Sequence, residues 1–260
     1  MRDYKKYKLK FNPYLDKLYN SNKSLIIYKV SNGYNIYTDF SKKVILNNNN
    51  INSFFNFFNN KKYKKETDIL VGFFGYEILC NLIGLKIKNQ KKINFYKGIF
   101  YKPETIIKIR DKISITSNIK KHKFKDHFNS TKILSPFKTN ISFEKYKKIF
   151  DLFSKKIRKG ETYQIKICTK YKNKSQINTL NFFWKLMKVN AAPESFMIRD
   201  KDYSIVSCSP ETLIEKKGNN IITKPIAGTL KKNKKTSIKS AYKYFKNNIK
   251  ETKEHNMIVD

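Results

Sequence analysis

The stretch SCSPETLIEKKGNNIITKPIAGTLKK, Ser207 to Lys232, carries most of what can be read about this fold. An apolar run, YSIVSCS, reaches Pro210 and Glu211 and stops. TLIEKKG and NIITKPI follow as two strand-like pieces around Gly218–Asn220, the composition of a tight hairpin. Pro225 then opens a loop, PIAGT, with a φ-locked proline, a small alanine, a permissive glycine and a hydroxyl. Such a loop lets backbone N–H groups come close to an anionic ligand; a plain turn is the alternative. Glu211, at a strand exit, is placed where a carboxylate can be tuned for acid or base work, and an ordinary turn residue is its alternative.

Working outward, ESFMIRD and YSIVSCS extend the same strand-rich block on its N-terminal side. Before that, ISFEKYKKIFDLFSKKIRKGE is an amphipathic helix with Tyr146, Ile149, Phe150, Phe153 and Ile157 on one stripe. Ser142 is its N-cap candidate, and Gly160 stands where a helix end favours a left-handed residue. TYQIKICTKYK changes to period two, which predicts a strand over 163–171. LNFFWKLMKVN predicts a second helix. TSIKSAYKYFKNNIKETKEHNMIVD, at the end, returns to helical spacing.

The N-terminal part holds KSLIIYKV, YNIYTDF, DILVGFFGY, GIFYKPETIIKIRD and KISITS, β-branched and aromatic runs that predict a meandering antiparallel sheet. Residues 47–68 read as a helix or loop rich in Asn and Lys. Residues 117–140 read as a linker or long surface excursion. The expected class is therefore α+β, antiparallel sheets with flanking helices. The expected division is a 1–135 N-terminal region and a 141–260 catalytic region.

Composition narrows the function. A chain of 260 residues, 40% hydrophobic, can bury a substantial core. No run of 18 apolar residues predicts a membrane span, and the first residues lack a signal-peptide core. Cys80, Cys168 and Cys208 are scattered, which predicts reduced thiols in a cytoplasmic protein. The net charge is +36, from 56 Lys and Arg against 20 Asp and Glu. The arginines are Arg2, Arg110, Arg158 and Arg199 alone. Lysine arrives with Asn, Ile, Tyr and Phe, so a compositional bias explains the charge better than a phosphate-reading surface, which uses arginine forks. No nucleic-acid partner and no membrane partner are expected.

Glu251 and Glu254 in KETKEH lie three apart, on one face of the last helix. Two such carboxylates repel unless a cation such as Mg²⁺ joins them. A solvent-facing pair among lysines is the alternative.

Taken in order, GETYQIKICTKY, NAAPESFMIRD, SCSPE, KPIAGT and KEHNMIVD resemble, block by block, the chorismate-utilising enzymes. These include component I of anthranilate synthase and of aminodeoxychorismate synthase, with isochorismate and salicylate synthases as cousins. The resemblance is strong over 143–260, and VGFFGYE, Val71 to Glu77, matches an N-terminal signature more loosely.

The resemblance implies an anthranilate synthase component I-like fold and roles for particular residues. Glu254 would hold the Mg²⁺ that grips the carboxylate of chorismate, with Glu251 supporting it. Ala227, Gly228 and Thr229 would line the substrate pocket. Glu211 would act as general acid on the departing hydroxyl. Gln164 stands where isochorismate and salicylate makers carry a water-activating lysine, which implies amination by ammonia from a glutamine amidotransferase subunit. Ala227 replaces the nucleophilic lysine of many aminodeoxychorismate synthases, which implies the anthranilate route. KSLIIYKV lacks the Glu and Ser of the family's tryptophan-holding element, which keeps the aminodeoxychorismate alternative open and weakens any expectation of tryptophan inhibition. The family motif at MIVD ordinarily runs on, so a truncated catalytic domain, inactive by itself, is expected.

Overall fold

The computed structural model describes residues 18–19, 21, 24–59, 63–85, 95–119, 132–233 and 236–259. They fall into two compact units, Met1–His127 with Thr179–Asp260, and Phe128–Asn178.

The first unit is built on an antiparallel sheet of β1 (Leu25–Val30), β2 (Gly33–Ile45), β3 (Val71–Phe74), β4 (Gly98–Ile109) and β5 (Ile113–Ser117). Two later strands, β10 (Glu194–Arg199) and β11 (Ser204–Ser209), complete it. The order is β11-β10-β1-β2-β4-β3, with β5 also on β4. All five N-terminal runs expected as strands are present.

The register explains the layout. β2 pairs with β4 in two stretches, Tyr34–Thr38 against Thr105–Ile109 and Lys42–Ile45 against Ile99–Lys102, with an irregularity between Phe40 and Lys42. Asp39, at φ 54, sits beside that break, and such a bulge bends the strand. β3 and β5 then pair with opposite ends of β4. β10 pairs with β1 from Leu25↔Arg199 to Tyr28↔Phe196, so a strand from far along the chain closes onto the first one.

Both faces of this sheet are covered, as the alternation in β1 dictates. Leu25 and Ile27 point to one core with Tyr34, Ile36, Ile107, Ile109 and Met197. Ile26 belongs to the other, with Tyr37, Ile99, Tyr101, Ile106 and Ile198. The first face is closed by a helix over Thr179–Val189, the one predicted from LNFFWKLMKVN. Its Leu180, Phe183, Trp184 and Met187 recur at helical spacing and are all buried, each worth roughly 1.5–3 kcal/mol of transfer free energy. Helices α1 (Ile51–Asn59) and α2 (Tyr76–Leu82) lie beside β4, where Leu46, Ile51, Phe54, Ile78 and Phe100 form a third cluster.

The second unit contains β6 (Lys132–Ile133) paired with β9 (Ser175–Gln176), β7 (Lys138–Thr139) paired with β8 (Tyr171–Lys172), and α3 (Phe143–Arg158). Its helix is capped as expected. The Ser142 side chain accepts from the Lys145 amide at 3.3 Å, and Gly160 takes φ +74 just past the end. No residue of α3 is buried. The strand expected over 163–171 is confined to the pair Tyr171–Lys172. Ile165 and Ile167 are more enclosed than their neighbours, but Tyr163, Thr169 and Tyr171, in the same register, are exposed. A strand also needs a ladder partner; Lys170 still meets Asn140, and among the described residues 163–169 pair with no strand.

The helix of Thr179–Val189 is α4. After β11 the chain forms the hairpin β12 (Thr212–Lys217) and β13 (Asn220–Lys224), then α5 (Ile238–Asn247) and α6 (Ile249–Val259). The single terminal helix expected from spacing is thus two. Asn248 divides them: its backbone is non-helical at ψ 102, and its side chain accepts from the Glu251 amide at 3.2 Å. An Asn in that position caps the new helix, satisfying an amide that has no partner within it. No helix among the described residues is long and apolar enough to cross a membrane.

Candidate active site

The PIAGT loop leaves β13 at Lys224 and meets α6. Gly228 has φ +76, in the left-handed region that glycine tolerates and other residues resist. It also lies against the helix: a Cβ added there would come 2.0 Å from Glu251 Oε2 and 3.1 Å from Phe245 Cε1. Two independent demands, conformation and space, therefore fall on one residue.

Glu251 answers this packing with an unusual oxygen. Its Oε2 is buried and has no hydrogen-bond partner among the described residues. Leaving a buried acceptor unsatisfied costs about 1–3 kcal/mol, more when it is charged. Position accounts for some tolerance, since Glu251 stands in the first turn of α6, where the helix dipole favours negative charge. Thr252 adds a tie, donating its hydroxyl to the Phe245 carbonyl at 3.1 Å and so joining the two helices. Glu254, one turn on, is half-buried like Glu251, while Thr252, Lys253 and His255 are exposed. Both are thus more enclosed than the residues between and after them.

The other predicted residues are placed as follows. Ala227 is half-buried and Thr229 exposed on the same loop. Glu211 lies on the exposed turn between β11 and β12, its amide donating to Ser209 Oγ at 3.4 Å. Gln164 is exposed in the second unit, its carbonyl accepting from the Thr162 hydroxyl at 3.3 Å. The structure thus brings Gly228 and Glu251 together.

Sequence reading missed what fixes the hairpin bearing Glu211. Glu194, the first residue of β10, accepts from the Thr212 hydroxyl at 2.6 Å and from the Tyr28 phenol. Burial, reinforced by that carboxylate, raises the Tyr28 pKa. Also missed is a buried network around Asp200, which accepts from Ser24 and Tyr101 at 2.6 Å and from Lys43 at 2.5 Å. Tyr101 in turn meets the Tyr203 hydroxyl at 2.7 Å. Burial works against ionisation of Asp200, and the donors Lys43, Ser24 and Tyr101 outweigh it, holding the carboxyl well below the usual range. Burial pushes the Tyr203 phenol up to about 12. The residue types gave no signal here, since the partners are separated by up to 176 positions.

As a metal centre, the described residues offer two carboxylates and no cluster of three or more His, Cys, Asp or Glu. That number suits a hard divalent ion such as Mg²⁺, which uses one or two carboxylates and takes its other oxygens from water and substrate. Glu251 Oε2, left without a hydrogen-bond partner, is an oxygen donor of the type such an ion takes.

A seven-stranded antiparallel sheet, a hairpin and a glycine loop set against a helix that carries two carboxylates define an α+β protein. The model of the chorismate binding enzyme family matches residues 18–260, and the chain belongs to that family. Anthranilate synthase component 1 of Archaeoglobus fulgidus is 26% identical over 197 residues, 74% of this chain and 46% of its own length. Aminodeoxychorismate synthase component 1 of Bacillus subtilis is 30% identical over 105 residues, 40% of this chain and 22% of its own. The crystal structure of anthranilate synthase component I from Streptococcus pneumoniae has the same fold, with a TM-score of 0.64 at 19% identity, over 92% of this chain and 60% of that one. This chain spans less than half the length of the two relatives compared by sequence.

Proposed function

We propose that this chain forms part of an anthranilate synthase component I-like enzyme that aminates chorismate with ammonia and releases pyruvate and anthranilate. The observation that carries the reading is the contact of Gly228 with the buried, unpartnered oxygen of Glu251. On this reading Glu251 and Glu254 would hold Mg²⁺, which would supply positive charge for the substrate carboxylate. The Ala227–Thr229 loop lies along the substrate, and Gly228 permits the close approach. Glu211 acts as general acid toward the leaving hydroxyl, so that water departs rather than hydroxide. Gln164 carries no basic group to activate water, which favours ammonia as the attacking species. Ala227 offers no side-chain nucleophile, which favours direct attack. A separate glutamine amidotransferase component would supply the ammonia.

The test is a product assay with chorismate, ammonium and Mg²⁺, using the chain alone and together with the segment of the Archaeoglobus fulgidus relative that follows its matched region. Fluorescent anthranilate supports the proposal. Aminobenzoate formed only after a lyase is added would assign the aminodeoxychorismate reaction instead. Isochorismate or salicylate would overturn amination altogether.

A further inference from the structure

In the second unit, the two short ladders do not continue one another in a single register. Lys132–Ile133 pairs with Ser175–Gln176, and Lys138–Thr139 pairs with Tyr171–Lys172. Between them, residues 134–137 on one side face only 173–174 on the other, an enlarged bulge of two extra residues. Backbone hydrogen bonds fix this excursion. The Leu134 and Ser135 amides both donate to the Lys174 carbonyl, at 2.8 and 3.1 Å, and the Lys174 amide donates to Ser135 Oγ at 2.7 Å. At the far end the Lys170 amide donates to Asn140 Oδ1 at 2.6 Å. The frame borders a cavity of about 710 Å³, whose lining includes Ser135, Lys138, Asn140, Lys172, Asn173 and Lys174.

Lys138 and Lys172 stand directly opposite each other in the ladder, a position where Cβ atoms are about 4.5–5.5 Å apart and like charges destabilise the pair. Lys174 brings a third ammonium to the same cavity. A general excess of lysine does not account for this arrangement. Elsewhere on paired strands a carboxylate sits among the lysines, as Glu215 does between Lys217 and Lys224 and Glu66 does beside Lys108. Residues 132–140 and 170–176 contain no Asp or Glu, and among the described residues none of the three lysines forms an ion pair.

We propose that this cavity binds a small organic phosphate, whose charge offsets the repulsion among Lys138, Lys172 and Lys174. Lysine binds phosphate as a point charge. A phosphomonoester has three terminal oxygens, one for each ammonium, whereas a carboxylate has two. Asn140 and Asn173 carry side-chain N–H groups for further oxygens, and Leu134 and Pro136 form an apolar wall for the organic part. The volume lies within the range of small-molecule sites, about 300–1,000 Å³. The proposal is independent of the reaction catalysed in the first unit.

The experiment titrates the 260-residue chain with phenyl phosphate and, separately, with citrate. Ionic strength is fixed at about 150 mM, so that screening is the same in every arm. Calorimetry reads stoichiometry and affinity, and amide resonances map the site. One phenyl phosphate per chain is expected, with shifts confined to residues 132–140 and 170–176. Lys138→Gln, Lys172→Gln and Lys174→Gln combined should weaken binding by about tenfold or more. A control of equal charge, Lys147→Gln, Lys148→Gln and Lys155→Gln on the exposed surface of α3, should bind as the unaltered chain does. Lys138→Glu separates lost binding from lost folding. It sets a carboxylate across from Lys172, so binding should fall while the chain melts no lower than before. Absence of binding overturns the proposal. Equal losses in the cavity and control variants, or shifts spread over the lysine surface, overturn it too, since either shows attraction to net charge alone. Citrate bound as tightly as phenyl phosphate overturns the assignment to phosphate. No chorismate enters the readout, so a failed amination assay and a failed titration are separate results.

Discussion

At Gly228, backbone conformation and packing can be separated by mutation. Gly228→Ala places a non-glycine residue at φ +76, which costs about 1–2 kcal/mol, and it drives a methyl into Glu251 Oε2. Faster amide exchange in α6 and in residues 225–229 should report the change. Adding Glu251→Ala removes the clash but leaves the strain, so the double variant should recover part of the loss, and the shortfall measures the backbone cost. Equal exchange in the single and double variants would show that the two residues do not touch. Asp200 makes a different prediction. Asp200→Asn deprives Lys43 and Tyr101 of a charged acceptor and should cost about 2–3 kcal/mol in urea unfolding. Because the folded-state pKa of Asp200 is depressed, its stabilisation is complete above the unfolded carboxyl pKa and is lost as pH falls through the folded value. The unaltered chain should therefore weaken below about pH 4, and the Asn variant should show a flatter acid limb.

Among the elements, the hairpin is held to the sheet by a side-chain relay, Tyr28 to Glu194 to Thr212. Glu194→Ala should loosen β12 and β13 while β2 and β4 keep their protection, since their ladder and two cores do not involve residue 194. Hydrogen exchange followed by strand would read this directly, and uniform loosening would contradict it. Helix ends were well signalled by local chemistry. Ser142 and Gly160 marked both ends of α3 because capping needs only neighbours three residues away. The break at Asn248 was also local, but apolar spacing continues across it, so periodicity alone ran the two helices together. The period-two run at 163–171 shows the converse limit. Alternation states which side chains could face a core, and a strand still requires a partner ladder.

For the whole molecule, charge is the dominant long-range term. With 56 cationic and 20 anionic side chains, self-repulsion opposes the compact state and is screened by salt. Thermal unfolding should shift upward as salt is raised from about 20 mM to about 300 mM, and a flat or falling midpoint would show that local ion pairs such as Lys43–Asp200 outweigh the net repulsion. The sheet itself was largely legible, because each strand carries its own alternation. Its closure by β10 and β11 was not, since pairing Leu25 with Arg199 depends on which distant strand offers a matching apolar face.

The sequence by itself determined the class and the family: local periodicity fixes helices and strands, and five motifs in order identify the chorismate-binding enzymes. It also named Gly228 and Glu251 as candidates. Only the tertiary structure decided that these two touch, that Glu194 ties the hairpin to β1, and that Asp200 sits in a closed network. The physical reason is range. Turn, cap and strand preferences act over a few residues, whereas those contacts join positions 18 to 176 apart, and packing alone selects them.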